Sequence, residues 1–239
     1  MSEGTVFVTG ASSGIGAAAA VELARRGFAV GCLSRRGTAP QVEGVLPFKG
    51  DVSDEQVVRA ALAALVAEAG PLRGVVNSAG RHGEAESLTV PLGDARALME
   101  TNFFGTWTVC RLAHPHLVTA QGGAIVNVGS FYDRLGVARN AAYAASKAAI
   151  GSLTRCLAVE WARDGIRVLN VAPGYVDTEI NEAFFADAGA RGAIERRIPV
   201  RRVGQADEIA RVIAGLFAEG VGFLTGETIY VDGGQGMAL

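Results

Sequence analysis

The segment Thr9-Gly10-Ala11-Ser12-Ser13-Gly14-Ile15-Gly16 decides the fold. It follows a short apolar run, Thr5–Thr9, and precedes a helical pattern, so it is the turn between a strand and a helix. Gly10 permits the tight turn, Gly14 lets a ligand approach the backbone, and Gly16 lets the helix pack closely. The free N–H groups and the positive end of the helix dipole attract an anion there. The segment therefore predicts a phosphate-binding turn, although an ordinary turn rich in small residues is the alternative when it is considered alone.

Short β-rich runs alternate with longer helical patterns along the chain, which indicates βαβ units around a parallel sheet. Seven strands are predicted, over Thr5–Thr9, Phe28–Leu33, Val45–Lys49, Gly74–Asn77, Ala124–Val128, Arg167–Val171 and Glu227–Val231. Helices are predicted to start near Ser13, Asp54, Asp94, Ala141 and Ala206, with Ser53-x-x-Gln56 as a capping box for the second helix. The sequence therefore predicts an α/β, single-domain, doubly wound (Rossmann) fold over residues 1–239, with helices on both faces. The irregular stretch 178–204 is interpreted as a mobile flap over a site.

The composition excludes several classes of function. Lys and Arg number 22 against 24 Asp and Glu, so the formal net charge of −2 provides no field that gathers a nucleic acid. Mean hydropathy is +0.27, but polar residues interrupt every apolar run well before the length of a membrane helix. The first residues lack the features of a signal peptide, and three widely spaced cysteines indicate a reducing compartment. We therefore expect a cytoplasmic protein with no nucleic-acid or membrane partner.

The end of the second predicted strand, Ser34-Arg35-Arg36, bears on the choice of dinucleotide. In an NAD site, an acidic residue about 20 positions beyond the glycines binds the adenosine ribose. Here no carboxylate stands there to repel a 2′-phosphate, and two guanidinium groups can form charge-assisted hydrogen bonds with it. The segment therefore favours NADP(H) over NAD(H), with a solvated arginine loop as the alternative.

Tyr143 and Lys147 lie four residues apart at the start of a predicted helix, so their side chains project from one face. Ser130 ends the fifth predicted strand, and the carboxyl ends of parallel strands form the rim where ligands bind. A free tyrosine has a pKa near 10, and a nearby ammonium together with a cationic nicotinamide can lower it. A solvated helix face is the usual explanation of a Tyr–Lys pair, so the interpretation depends on the combination with the phosphate turn.

The motifs of the chain are, in order, Gly10-x-x-x-Gly14-x-Gly16, Asp51-Val52, Asn77-Ser78-Ala79-Gly80, Asn102, Ser130, Tyr143-x-x-x-Lys147 and Pro173-Gly174. In kind and in order they resemble the motifs of the short-chain dehydrogenase/reductase family, and the resemblance covers essentially the whole chain. The family usually has a second Asn where Ser78 stands and often a Ser where Gly129 stands. Both departures keep small residues. They leave intact the four residues that match the family's catalytic tetrad, which are Asn102, Ser130, Tyr143 and Lys147.

The resemblance implies a role for each member of the tetrad. Tyr143 would be the general acid when a carbonyl is reduced, and Ser130 would hydrogen-bond to the carbonyl oxygen. Lys147 would bind the nicotinamide ribose and lower the pKa of the tyrosine. Asn102 would hold a water in a proton relay, whereas the residues alone suggest a helix-interior Asn bonded to nearby backbone.

The resemblance also implies a set of cofactor-binding residues. Asp51 would meet the adenine, although a turn-stabilising role is equally plausible. Asn77 would steady the central strand and the cofactor loop, and Pro173 to Thr178 would line the nicotinamide side. The expected set is Gly10, Ser12, Ser13, Gly14, Ile15, Gly16, Ser34, Arg35, Arg36, Asp51, Val52, Asn77, Ala79, Gly80, Tyr143, Lys147, Pro173, Gly174, Val176 and Thr178.

The expected activity is hydride transfer between NADP(H) and a small ketone or secondary alcohol. The C-terminal half resembles 3-oxoacyl-carrier-protein reductases and polyol dehydrogenases. The basic residue that helps such reductases dock the carrier is missing from Gln121-Gly-Gly-Ala124, so a 3-oxoacyl thioester, on carrier protein or CoA, is the alternative substrate. A non-catalytic dinucleotide-binding redox sensor is the second alternative. Members of the family usually form dimers or tetramers, so the resemblance implies a homo-oligomer of one of these two kinds.

Several weaker signals remain. His114-Pro-His116 lacks the partners of a metal site, so no metal is expected. His82 could reach the substrate cleft, and the residues from Phe131 to Asp133 could shape it. Five arginines of the flap could favour an anionic substrate or could equally form a solvated helix; they are Arg191, Arg196, Arg197, Arg201 and Arg202.

Overall fold

The structure, a computed structural model, describes residues 4–179, 187–218 and 221–237. Seven strands belong to one parallel sheet, and two short strands pair separately. The strands are β1 (Thr5–Thr9), β2 (Ala29–Ser34), β3 (Val45–Lys49), β4 (Leu72–Asn77), β5 (Gly123–Val128), β6 (Ile166–Pro173), β7 (Val176–Asp177), β8 (Gly204–Gln205) and β9 (Thr228–Val231). All seven predicted strands are present. β1 and β3 have the predicted bounds, β4, β5 and β6 are longer by one to three residues, β2 is shifted by one residue and β9 is one residue shorter.

Helices connect the strands and lie on both faces of the sheet. They are α1 (Gly14–Arg25), α2 (Glu55–Ala69), α3 (Leu92–Met99), α4 (Gly105–Thr119), α5 (Ala141–Trp161), α6 (Ala188–Arg197) and α7 (Ala206–Gly215). Within the described ranges, no helix is both long enough and apolar enough to cross a membrane.

The predicted capping box of α2 is wrong. The N-cap residue is Asp54, whose carboxylate accepts hydrogen bonds from the N–H groups of Gln56 and Val57 at 3.0 and 3.2 Å. The Ser53 hydroxyl instead donates to the carboxylate of Asp51 at 2.8 Å. Because the helix begins one residue later than the pattern suggests, Ser53 lies outside the capping position and Asp54 satisfies the first N–H groups.

The strand order is β3-β2-β1-β4-β5-β6-β9, the order of a doubly wound sheet, so the predicted fold class is confirmed. Successive strands are added to one side of β1 as far as β3, and from β4 onward they are added to its other side, so the order reverses between β1 and β4. Thr9 of β1 is level with Leu33 of β2 on one side and with Asn77 of β4 on the other. The glycine turn, the arginine pair and the loop after β4 therefore meet at one edge, where such folds bind ligands.

Two apolar layers hold the sheet between the helices. Strand residues alternate between them, so Phe7 packs with the layer under α2, α4 and α5, whereas Val6 and Val8 pack with the layer under α1 and α7. Leu62 and Leu65 of the predicted α2 stripe are fully buried. These layers fix the heights at which the strands end and therefore the geometry of the edge that carries the site.

A wide turn joins α3 to α4. Residues Glu100–Phe104 form a π-helical turn, in which the N–H of Gly105 bonds to the carbonyl of Glu100, five residues earlier. Asn102 lies in this turn and is completely buried, and the Thr106 hydroxyl donates to its carbonyl at 2.8 Å. The sequence predicts a helix near Asp94 but gives no sign of this turn, since the apolar pattern continues through it.

The predicted flap, 178–204, is described in part. Residues 180–186, which include Asn181, Phe184 and Phe185, lie outside the described residues. Further along, Ile194, Ile198 and Val203 pack together beneath Tyr175 and form a small apolar cluster of their own.

Two of the flap arginines are engaged by acidic partners. Arg191 lies 3.1 Å from Asp177 and 3.2 Å from Glu195, and Arg202 lies 2.7 Å from Glu208. These contacts favour the solvated, paired interpretation of the two arginines over a role in binding a substrate anion.

Candidate active site

A cleft of about 870 Å³ opens at the carboxyl ends of the strands, large enough for a cofactor with a small substrate. Most of the residues expected from the sequence line it, together with Ser130. Those in the wall are Gly10, Ser12, Ser13, Gly14, Ile15, Ser34, Arg35, Arg36, Asp51, Val52, Ala79, Gly80, Tyr143, Lys147, Pro173, Gly174, Val176 and Thr178.

The glycine turn has the shape of an anion cradle. Gly10 has φ +67°, and a Cβ there would lie 2.7 Å from the backbone nitrogen of Ala79, so only glycine fits. Gly14 has φ +55° and opens toward Thr178 at 3.4 Å. Ser13 is the N-cap residue of α1, but its side chain makes no capping hydrogen bond. The N–H groups of the first turn are thus left without a side-chain cap beside the cleft, which fits a dinucleotide pyrophosphate.

The arginine pair lies at the mouth of this end of the cleft. Arg36 donates to the Ser12 hydroxyl at 3.1 Å and forms an ion pair with Glu179 at 3.1 Å. The side chains of Arg36 and Glu179 are both more than half exposed. Glu179 is a contact that sequence reasoning missed, because it lies 143 residues away in the chain and nothing local marks it.

Asp51 lies in the cleft wall and also stabilises its own turn. Partial burial raises its pKa, but hydrogen bonds from the backbone and hydroxyl of Ser53, with the charges of Arg35 and Arg81, outweigh burial and leave the pKa below its ordinary value. The carboxylate therefore stays charged. Both interpretations offered by the sequence, a turn residue and a cofactor contact, remain compatible with this position.

Tyr143 and Ser130 meet in the cleft. Ser130 hydrogen-bonds to the phenol of Tyr143, while its oxygen accepts the N–H of Tyr132 at 3.3 Å. Since the N–H occupies one lone pair of this oxygen, the Ser130 proton stays available for the Tyr143 oxygen. Burial raises the pKa of Tyr143, and the hydrogen bond with Ser130 lowers it only in part.

Lys147 is not among the groups that shift the pKa of Tyr143 in this structure, and its expected effect together with a cationic nicotinamide stays a prediction. Lys147 is itself buried, and burial lowers its own pKa to about 8. Its Nζ donates to the carbonyl of Val128 at 2.8 Å and lies 5.8 Å from the centre of the Tyr143 ring. Because the Lys147 ammonium is only weakly favoured and lies at this distance, burial remains the dominant influence on the pKa of Tyr143.

Three expected residues support the cleft from behind its wall. Gly16 packs against the Gly10 carbonyl, where a Cβ would collide. Asn77 donates to Asn127 at 2.9 Å and to the Cys110 sulfur at 3.3 Å, so it joins β4 to β5 and α4. These contacts make Gly16 and Asn77 structural.

Asn102, the third of these residues, makes backbone contacts with the loop after β4. Its amide accepts the N–H of Arg81 at 2.8 Å, and donates to the carbonyl of Arg81 and to Ser146, both at 3.0 Å. Its side chain is therefore fully engaged in holding this loop against α5, as the residue type alone suggested. A relay role for Asn102 stays a prediction.

Gly129, where the family often has Ser, is required by a neighbouring side chain. A Cβ at this position would lie 2.6 Å from Oδ1 of Asn170, which is completely buried in β6. Asn170 occupies the space that a side chain at position 129 would need, which explains why this chain departs from the family pattern there. Sequence reasoning did not single out Asn170.

Aromatic rings form the wall beyond Ser130. The hydroxyls of Tyr132 and Tyr175 are 2.7 Å apart, and the Phe131 ring contacts both tyrosines, with centroids 4.8 and 5.5 Å away. Burial and the hydrogen bond with Tyr175 raise the pKa of Tyr132, which keeps it neutral. Sequence reasoning placed Phe131 and Tyr132 here. It included Tyr175 only within the range Pro173 to Thr178, expected on the nicotinamide side, and did not place it in this aromatic wall.

The remaining candidates are divided by position. His82 lines the cleft and contacts Tyr143, whereas none of the five flap arginines lies in the cleft wall. His114 pairs with Asp164 at 2.9 Å on the surface. In the described part of the chain, no cluster of three metal-ligating side chains occurs.

Comparisons with known proteins agree with this geometry. A family model described as enoyl-(acyl carrier protein) reductase, from the short-chain dehydrogenase/reductase family, matches residues 10–235. The chain is 35% identical to 3beta-hydroxysteroid dehydrogenase 1 of Eggerthella lenta over 242 residues, covering 97% of this chain and 93% of that protein. It is 37% identical to cis-4-hydroxycyclohexanecarboxylate dehydrogenase of Sinomonas cyclohexanicum over 241 residues, covering 97% and 96%.

A solved structure is similar over the whole length. Gluconate 5-dehydrogenase of Burkholderia cenocepacia J2315, in complex with NADP and tartrate, has a TM-score of 0.92 and 31% identity, and the match covers 100% of this chain and 97% of that one. The fold, the residues of the cleft and these similarities lead to one conclusion. The chain belongs to the short-chain dehydrogenase/reductase family and is an oxidoreductase.

Proposed function

We propose that this oxidoreductase interconverts a ketone and a secondary alcohol by hydride transfer with NADP(H), using Tyr143 as general acid and base. The observation that carries the proposal is the hydrogen bond between Ser130 and Tyr143 inside the cleft that also contains the glycine turn. When bound, NADP(H) supplies or accepts the hydride. The protein's own residues handle the proton and the oxygen.

Proton transfer follows from the positions of the polar groups. In the direction of reduction, Tyr143 gives its proton to the substrate oxygen, and its raised pKa means that the proton is present at neutral pH. Ser130 directs its hydroxyl proton to the same oxygen. Lys147, one turn along α5, contributes a positive charge that favours the phenolate after the proton has left. In oxidation, the same phenolate takes the alcohol proton.

Replacement of the phenol tests this mechanism. Tyr143→Phe keeps the ring but removes the proton donor, so we expect kcat to fall by a factor of about 10² or more while NADPH binding stays within about twofold. Tyr230→Phe is a matched control, since the Tyr230 hydroxyl bonds to Asp133 and does not line the cleft. Retained turnover in Tyr143→Phe would contradict the mechanism, and a redox sensor without catalysis predicts no turnover even in the wild type.

The preference for NADP(H) rests on Arg35 and Arg36, with no acidic residue at the end of β2. The similar gluconate 5-dehydrogenase contains NADP, which supports the proposal. We expect NADPH to bind at least tenfold more tightly than NADH, a difference of about 1.4 kcal/mol. Calorimetric titration of both nucleotides measures this, and equal affinities would count against it.

The substrate class we favour is a cyclic ketone or alcohol. Apolar rings are suited to the aromatic wall of Phe131, Tyr132 and Tyr175, and two relatives are named for substrates that contain rings. A 3-oxoacyl thioester is the alternative, supported by a relative named 3-oxoacyl-[acyl-carrier-protein] reductase MabA, which is 32% identical over 233 residues. Ranking cyclic ketones, aryl ketones, keto-sugars and 3-oxoacyl thioesters by kcat/KM for NADPH oxidation decides between them.

We also propose that the protein is a cytoplasmic homo-oligomer, a dimer or tetramer. Apolar side chains stay partly exposed along α4 and α5, and burying them in a copy of the same chain would remove them from water. They are Trp107, Val118 and Val159. Light scattering measures the assembly, and a monomer at micromolar concentration would refute this part.

A further inference from the structure

A histidine contacts the ring of Tyr143 from the loop that follows β4. The ring centroids of His82 and Tyr143 are 4.8 Å apart and the planes meet at 83°, an edge-to-face arrangement. Tyr132 makes a second contact of this type with Tyr143, at 5.9 Å and 84°. The phenol ring therefore packs against two other rings, one of which is hydrogen-bonded to the helix that carries it.

The hydrogen bonds of Asn140 fix the tautomer of His82. Asn140 donates from Nδ2 to the carbonyl of Ala138 at 3.0 Å, so its Oδ1 is the acceptor that faces Nε2 of His82 at 2.8 Å. An acceptor opposite Nε2 requires a proton on that nitrogen. His82 therefore donates to Asn140 in its neutral form and in its charged form alike.

Asn140 is committed to this contact at the start of α5. It is the N-cap residue of the helix, yet its side chain makes no capping hydrogen bond, although Asn is among the residues that cap most effectively. Only 5% of Asn140 is exposed. Its amide is used to hold His82 three residues before Tyr143, at the expense of a helix cap.

The backbone before His82 is held from the other side. Asn102 makes hydrogen bonds to both the N–H and the carbonyl of Arg81, and to Ser146 in α5. A separate ion pair between Arg139 and Glu84, at 2.7 Å, and the bond from the N–H of Ala85 to the Arg139 carbonyl hold the rest of the loop. The loop therefore keeps its place without the His82 side chain.

We propose that His82 is a positioning residue for Tyr143, an inference that rests on the proposed function. Its Nε2–H fixes the imidazole on Asn140, and the fixed imidazole restricts the phenol ring to the orientation in which its oxygen meets Ser130. Without this contact, Tyr143 samples orientations that do not transfer a proton. Because the cofactor turn and the aromatic wall are untouched, the loss falls on kcat and leaves KM nearly unchanged.

The test measures NADPH-dependent reduction of cyclohexanone, or of the cyclic ketone that the wild type reduces fastest. His82→Ala and Asn140→Ala should each lower kcat about tenfold, as expected for a misplaced reacting group, with KM and the Kd of NADPH within about twofold. Since both remove the same restraint, the double variant should be no slower than either single variant. His82→Gln places an N–H donor near the position of Nε2 and should recover kcat to within about threefold.

His116 provides the matched control, because it lies on α4 away from the cleft. His116→Ala and His116→Gln should leave kcat unchanged. An unchanged kcat in His82→Ala, additive losses in the double variant, or no recovery in His82→Gln would overturn the inference while leaving the proposed function intact. Absence of turnover in the wild type overturns the proposed function, and the inference with it.

A second readout does not depend on turnover. Long-range ¹⁵N NMR of the free protein distinguishes the two imidazole tautomers, and the signals of His82 are those missing from His82→Gln. We expect the proton on Nε2, with the tautomer preference lost in Asn140→Ala. A proton on Nδ1 in the wild type would overturn the inference.

Discussion

Replacing Lys147 by methionine should stabilise the free protein while removing its activity. Lys147 is buried in the wall of the cleft, and burial lowers its pKa from 10.5 to about 8. In the unfolded chain the ammonium is solvated and keeps the value of 10.5. The difference, about 2.5 pH units at about 1.4 kcal/mol each, corresponds to about 3 kcal/mol.

The sign follows from proton binding. Below about pH 8 both states of the wild type carry the proton, so the folded protein bears the full cost of a buried charge. Between about pH 8 and 10.5 the folded protein has released the proton and the unfolded chain retains it. The free energy of unfolding of the wild type therefore rises by about 3 kcal/mol across this window.

Methionine removes the charge and also one hydrogen bond, from Nζ to the carbonyl of Val128 at 2.8 Å. That bond contributes about 1 kcal/mol. At pH 7, Lys147→Met should therefore be about 2 kcal/mol more stable than the wild type, which raises Tm by roughly 4–8 °C in a chain of this size. Near pH 10.5 the advantage should vanish, leaving the variant about 1 kcal/mol less stable.

Urea denaturation of the cofactor-free protein at pH 7 and at about pH 10.5 measures both values. Lys49→Met is the matched control, because Lys49 is the only other lysine and is exposed; its effect should stay within about 0.5 kcal/mol at both pH values. A Lys147→Met variant that is less stable than the wild type at pH 7, or whose difference from it does not depend on pH, would refute the reasoning.

Two further predictions concern contacts of the cleft. Glu179→Gln should tighten NADPH binding about threefold and leave NADH unchanged, because Glu179 competes with a 2′-phosphate for Arg36 and an exposed ion pair contributes about 0.2–1 kcal/mol; calorimetry with both nucleotides measures this, and an equal change for NADH would contradict it. Gly129→Ala should lower the free energy of unfolding by about 1–3 kcal/mol, because the new methyl group meets Asn170. The double variant with Asn170→Ala should regain stability relative to Gly129→Ala in urea denaturation, and a further loss would show that Asn170 is not the obstacle.

Local patterns were sufficient to predict the framework of this protein. The glycine turn, the seven strands and the position of Tyr143 and Lys147 on one helix face all follow from spacing, because strand and helix periodicity determine which side chains share a face. The meeting of the turn, the arginine pair and the loop after β4 also follows, since parallel strands bring their carboxyl ends to one edge.

The contacts that could not be predicted join residues far apart in the chain. Arg36 and Glu179, and likewise Gly129 and Asn170, are brought together by the sheet and leave no local signal. The pKa of Tyr143 depends on how deeply the ring is buried, which residue spacing does not report. The same limit applies to Asn140, whose residue type predicts a helix cap although its amide binds His82 instead.

The π turn at Glu100–Phe104 absorbs one extra residue within one long helix. Because a π turn holds one residue more than an α turn, α4 keeps its buried side toward the sheet. In a chain one residue shorter at this point, α3 and α4 would run on as a regular helix with the buried side of α4 unchanged. The bulge that carries Asn102 would be lost, and with it the hydrogen bonds that hold Arg81. The extra residue therefore serves the loop after β4 and not the packing of the helix.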